Sequence, residues 1–217
     1  MSVKTCKSEK ASFEKICRLS FSRMKAGGVP GAAIGLVRGD SEAFATFGTV
    51  NIENPLPVDG DTLFKIASIS KTFLATVAVM LAERGVLDLS APVRKYLPGL
   101  KLSDREVQKN VTMIHLLTHT AGWYGDYFDD FGRGDDALAK MVEKMAELPQ
   151  IARLGEIFSY SNSSFNLAAR VIEVITGKTY ESAIAEMLLK PLGMKNSFFF
   201  AEDVIVHKRK NFSFPMA

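Results

Sequence analysis

Apolar residues between Ser12 and Lys25 fall at Phe13, Ile16, Cys17 and Met24, the spacing of one helix face, and the pattern stops at Gly27-Gly28. The period then changes. Ala32 to Val37 and Ala43 to Phe47 have strand character on either side of the turn signal Arg38-Gly39-Asp40-Ser41, so a β-hairpin is expected. A Pro/Asp/Gly-rich link runs from Asn54 to Asp61. From Ser68 onward the helical period dominates. One helix runs from Ser68 or Ser70 through Arg84 and is closed by Gly85. Thr112 is placed to cap "MIHLLTH", and Asp135 or Asp136 to start "ALAKMVEKMAEL". Ser163 or Ser164 opens "FNLAARVIEVIT", stopped by Gly177, and Thr179 caps "YESAIAEMLL". The last piece, "NSFFFAEDVIVHKRKNFSFPMA", has short apolar runs of strand type and no helix period.

This order predicts an α+β chain in three parts: an N-terminal helix and hairpin over 1–60, a helical region over 61–195, and a return segment over 196–217. The sheet looks incomplete. A lone hairpin is marginal in water and needs a third strand or a helix cover.

Composition narrows the function classes. Apolar content of 47% beside 24% charged residues is that of a folded globular chain. A net charge of +3 is too small to imply nucleic acid, and the basic run His207-Lys208-Arg209-Lys210 reads as a solvated tail. The opening MSVKTCKSEK shows no signal peptide, and no apolar run has membrane-span length, so a cytoplasmic location is expected with no membrane partner. Cys6 and Cys17 have no metal or redox spacing, and Cys17 is expected in the core.

The chemistry starts at "FKIASISKTF". Ser68 and Lys71, three apart at a helix start, can touch. The dipole at that end favours an oxyanion, and the same field with an apolar surround lowers a lysine pKa, so a neutral Lys71 could take the serine proton. The simpler account of the serines is helix capping. In "GEIFSYSN", Tyr160 could relay a proton and Asn162 could hold a substrate carbonyl; a loop tyrosine and a cap-region asparagine are the plain alternative.

With "LLTHTAG" and "PLGMKNSFF", these segments resemble the serine β-lactamase and penicillin-binding-protein-like superfamily. The similarity is to its class C branch, with D-Ala-D-Ala carboxypeptidases and related esterases, over roughly Val29 to Phe199. The resemblance implies a β-lactamase/transpeptidase-like fold with the helical region present and the antiparallel sheet incomplete. It implies Ser68 as acylated nucleophile, Lys71 as its proton partner and Tyr160 as general base or acid, with Asn162 positioning substrate. The Ser68 N–H would be half of the oxyanion hole. Which of Lys71 and Tyr160 is the base stays open, since the two would titrate as a coupled pair. The implied reaction is hydrolysis of an ester, amide or peptide small molecule, without cofactor or metal.

The family's third motif, Lys-Thr-Gly or His-x-Gly on a strand, has no match here. "TGKTY" from Thr176 has the wrong order and sits at a helix-to-helix turn. The expectation is therefore a C-terminally truncated hydrolase, with completion by a second copy through the unfinished sheet as the lesser variant. The alternative function is a non-catalytic scaffold or one half of a two-part enzyme. His115 and His119 have metal-compatible spacing but read as core or capping residues, and the acidic loop from Asp126 to Asp136 as solvated charge. Trp123 and Tyr124, with Tyr127 and Phe128, read equally as packing or as a wall of the substrate cleft.

Overall fold

The computed structural model describes residues 7–206, with side chains from residue 11 onward. Cys6 and the basic run at 207–210 lie outside the described residues. Two compact units are present. One holds the described residues up to Ile66 together with those from Phe198 on, and the other is Ala67–Ser197. The first boundary thus falls just before the serine motif, and the return segment belongs with the N-terminal unit.

In the first unit, helix α1 (Lys7–Ala26) precedes strands β1 (Gly31–Arg38) and β2 (Ser41–Gly48). The strands pair antiparallel, Gly31 opposite Gly48 and Arg38 opposite Ser41, so Gly39-Asp40 forms a two-residue turn. Gly39 takes φ +58°, the left-handed region such turns require. At the other end of β2 a Cβ on Gly48 would stand 2.0 Å from the Pro30 carbonyl oxygen. The helix cover that a hairpin needs comes from α1: the rings of Phe21 and Phe47 are 5.7 Å apart and Phe13 is buried. Among the described residues the sheet has these two strands.

Two expectations for this unit are corrected. Cys17 is partly exposed and lines an open cavity with Arg18 of α1 and Phe44 and Phe47 of β2, instead of filling the core. Burial, then Glu14, pushes its thiol up. The strand-type run after Phe198 contains a short helix, α8 (Ala201–Val206). Its Val204, Ile205 and Val206 are β-branched, yet Glu202 and Asp203 sit in the first turn, where they favour helix by charge.

The second unit is helical. It contains α2 (Ser70–Glu83), α3 (Arg105–Asn110), α4 (Met113–Leu117), α5 (Ala137–Lys144), α6 (Asn162–Thr176) and α7 (Tyr180–Ile184). A π-turn, Ala185–Leu189, extends α7. Helix α6 is the hub, packing against α2, α4, α5 and α7. Its Leu167, Ala168, Val171 and Ile172 recur at i, i+1, i+4 and i+5 and are all buried, with Val77 and Ala78 of α2 in the same core. Burying each of the larger side chains is worth about 1.5–3 kcal/mol.

The caps follow the residue chemistry. The Thr112 hydroxyl oxygen accepts from the His115 N–H, and the Thr112 N–H donates in return to His115 Nδ1, closing a capping box on α4. Ser161 caps α6 by accepting from the Ser164 N–H, and Thr179 caps α7 by accepting from the Ser182 N–H. The α6 start is thus one or two residues earlier than its pattern suggests. Gly177, at φ +66°, ends α6, so "TGKTY" is a helix end and the next cap. Buried Glu173 ties the two helices together by accepting from Arg170 at 2.9 Å and from the Tyr180 N–H at 3.0 Å.

Candidate active site

The site lies within the helical unit. A 3₁₀ turn, Ala67–Ile69, precedes α2, and the cap position Ile69 makes no side-chain cap bond. The serines are therefore not there to cap the helix. Ser68 Oγ instead accepts from the Tyr160 hydroxyl at 2.6 Å and from Lys71 Nζ at 3.2 Å. Lys71 Nζ also donates to Asn162 Oδ1 at 2.7 Å. Four residues separated by up to 94 positions in the chain are thus in one hydrogen-bonded group. Ala67, immediately before Ser68, has φ +45°, which costs a non-glycine residue about 1–2 kcal/mol. Residues held in this region cluster at functional positions.

Each partner arrives on a rigid support. Lys71 is in the first turn of α2, whose Leu74, Val77, Ala78 and Leu81 are anchored in the core. Asn162 is the first residue of α6, and Tyr160 lies two residues before it. The Tyr160–Asn162 segment is held from one side by Gly125, whose carbonyl accepts from the Asn162 and Ser163 amides at 3.0 and 3.3 Å. From the other side it is held by His119. The imidazole Nδ1 accepts from the Ser161 N–H at 3.0 Å, and the ring stacks 4.5 Å from the Tyr160 ring. His119 also contacts Phe165 and Phe158, at ring distances of 5.0 and 5.6 Å.

The electrostatics centre on Lys71. Its ammonium is 4.8 Å from the Tyr160 ring and 5.5 Å from that of Phe165. Lys71 beside it first, and the bond to Ser68 second, bring the Tyr160 hydroxyl below the ordinary tyrosine pKa. Burial first, then the Lys71 charge, lower that of His119. The group is not dry in this chain: Ser68 is exposed and Tyr160 is 44% exposed.

Trp123 is not a cleft wall. It is 2% exposed, and its indole N–H donates to buried Ser163 Oγ at 3.0 Å. An indole fills a core well when its one donor finds an acceptor, and the run of small serines after Tyr160 supplies it. Tyr124 is half exposed, with its backbone tied to Pro149 and Ser163. Ser161 is buried and spends its hydroxyl on the α6 cap. His115 serves the α4 cap, and no group of three or more His, Cys, Asp or Glu among the described residues is arranged to hold a metal. No helix among the described residues is long and apolar enough to cross a membrane.

The sequence reads His119 as a core or capping residue and assigns Gly125 no role. The available signal was the His-Thr-Ala-Gly run ahead of a glycine-punctuated aromatic loop.

Penicillin-binding protein 4 of Amycolatopsis lactamdurans is 35% identical over 178 residues, covering 82% of this chain and 46% of the relative. The structure of the octameric penicillin-binding protein homologue from Pyrococcus abyssi superposes with a TM-score of 0.78 at 30% identity, covering 93% of this chain and 47% of that one. A class C beta lactamase from Rhodobacter sphaeroides gives 0.64 at 32% identity, covering 79% and 47%. The chain thus spans about half the length of the relatives it matches. The family described as Beta-lactamase matches residues 18–211, and with this match, these neighbours and this fold the chain belongs to that family.

Proposed function

We propose that this sequence encodes the nucleophile-bearing part of a serine hydrolase that cleaves ester or amide bonds through an acyl-Ser68 intermediate. The observation that carries the reading is the convergence of Tyr160 OH and Lys71 Nζ on one exposed serine oxygen. In the first step Ser68 Oγ bonds to the substrate carbonyl carbon, and its proton passes to the Lys71–Tyr160 pair. The carbon–leaving-group bond breaks, and the leaving alkoxide or amine takes that proton. Water then adds to the acyl-serine, gives its own proton to the same pair, and releases the acid as Ser68 regains a proton. A lowered Tyr160 pKa suits this duty, because the phenolate becomes accessible nearer neutral pH. The Ser68 N–H, at the start of the α2 turn, would be one donor to the oxyanion. Asn162, fixed by Lys71, would meet the substrate's amide or ester group.

Short acyl esters, D-amino acid peptides and β-lactams all fit this chemistry, and a promiscuous esterase or peptidase is the reading favoured here. A second reading is a scaffold without turnover, or one part of a hydrolase completed by further strands. It is supported by the two-stranded sheet and by "TGKTY" being a helix end. A fluorescent penicillin or fluorophosphonate probe separates the two. Labelling of the native chain that disappears in Ser68→Ala supports the hydrolase. A folded wild type that takes up neither probe supports the scaffold.

A further inference from the structure

We propose that His119 is a positioning residue for Tyr160 and works only as a neutral imidazole with its proton on Nε2. The proposal rests on the acyl-serine reading for its kinetic consequence, but its geometry stands alone. His119 grips the tyrosine segment at three points. Its carbonyl accepts from the Ser159 N–H at 2.8 Å, its Nδ1 accepts from the Ser161 N–H at 3.0 Å, and its ring lies against the Tyr160 ring between those two bonds. The residues on either side of the tyrosine are thus fixed to one side chain and its own backbone. Tyr160 OH then reaches Ser68 Oγ at 2.6 Å.

An acceptor at Nδ1 needs a lone pair there, which puts the proton on Nε2 in the neutral ring. Protonation makes Nδ1 a donor facing the Ser161 N–H donor, so that bond is lost and the tyrosine loses one of its anchors. The titratable groups that face the ring are Lys71 from α2 and Tyr160 from the segment ahead of α6, and Asp126 in the loop before α5 acts on Tyr160. Burial and the Lys71 charge keep the ring neutral to a lower pH than an ordinary histidine. The left-handed backbone of His119, φ +58°, closes α4: the Thr120 and His119 amides donate to the His115 and Leu116 carbonyls, and this helix-ending turn fixes where the ring stands.

The test uses the full chain and two variants. His119→Asn keeps an acceptor near the Nδ1 position and tolerates positive φ. His119→Phe keeps a ring and removes the acceptor. In the wild type, the Ser161 amide resonance should move with the same midpoint as the His119 ring, below 6.5. The rate of fluorophosphonate labelling of Ser68 should fall below that midpoint. His119→Asn should lose this acid limb. His119→Phe should label about 10- to 100-fold more slowly at every pH and shift the titration of ¹³C-labelled Tyr160. A Ser161 amide that ignores the His119 titration would overturn the proposal without any variant. So would an unchanged acid limb in His119→Asn, or wild-type labelling and Tyr160 titration in His119→Phe. A wild type that does not label at all would support the second reading of this chain, while the amide and tyrosine resonances would still decide the role of His119.

Discussion

Replacing Gly125 with alanine should damage the site without touching any reacting atom. The added Cβ would lie 2.4 Å from the Tyr160 carbonyl oxygen, 2.7 Å from Ser161 Cα and 3.0 Å from Ser161 Cβ. Two of those are backbone atoms, so no flexible side chain can move aside. Reaching ordinary contact requires the 122–125 loop and the Tyr160–Asn162 segment to part by about 1 Å. That separation weakens the bonds from the Asn162 and Ser163 amides to the Gly125 carbonyl. Overpacking of this kind costs about 1–3 kcal/mol, and each lost amide bond about 1 kcal/mol more. With both amide bonds lost the sum is about 3–5 kcal/mol, which should lower Tm by about 6–20 °C for a chain of this size. A displacement of about 1 Å between Tyr160 and Ser68 should slow probe labelling about 100-fold at temperatures where the variant is folded. The control is Gly99→Ala, where an added Cβ meets nothing within 4 Å. Thermal melts and labelling rates of the three proteins make the assay. A Gly125→Ala protein that melts and labels like the wild type would refute the claim that this loop sets the position of Tyr160.

Lys71→Met should remove both of its hydrogen bonds, slow labelling of Ser68 by about 100- to 10,000-fold, and let the Tyr160 pKa rise back toward the ordinary value of 10. The depressed Tyr160 pKa stabilises the fold above the unfolded value, an effect lost as pH falls through the folded one. An absorbance titration at a phenolate wavelength, referenced to Tyr160→Phe, reads the change, and an unmoved phenol would mean that Lys71 does not set it. Tyr180 behaves oppositely: burial, then Glu181, pushes its pKa up to about 12. Its contribution to stability is full below the unfolded value of about 10 and is lost as pH rises through the folded one. Urea midpoints should therefore fall between pH 10 and 12 less steeply in Tyr180→Phe than in the wild type, and equal slopes would remove Tyr180 as the cause.

The sequence by itself determined whatever depends on near neighbours. The helix of Phe13 and Ile16, the Gly39-Asp40 hairpin, and the caps at Thr112 and Thr179 each follow from a period or a side chain within four residues. The family resemblance went further, naming Ser68, Lys71, Tyr160 and Asn162 as one set before any distance was known. Tertiary structure decided what those residues touch. A serine near a helix start suits a cap and a hydrogen-bonded side-chain cluster equally in one dimension, and the 2.6 Å approach of Tyr160 from 92 residues away puts Ser68 in the cluster. Trp123 is aromatic beside a loop, which suits a cleft wall and a core equally until Ser163 is found to accept its N–H. The run after Phe198 has strand composition, yet Glu202 and Asp203 in its first turn favour a short helix. His119 shows the limit most clearly. Its ring, its Nδ1 and its carbonyl all bear on the Tyr160 segment, 41 positions away from His119 at the tyrosine, and no periodicity records a contact between two loops. Such contacts come from packing α2, α4 and α6 around one core, a cooperative result that local pattern cannot encode.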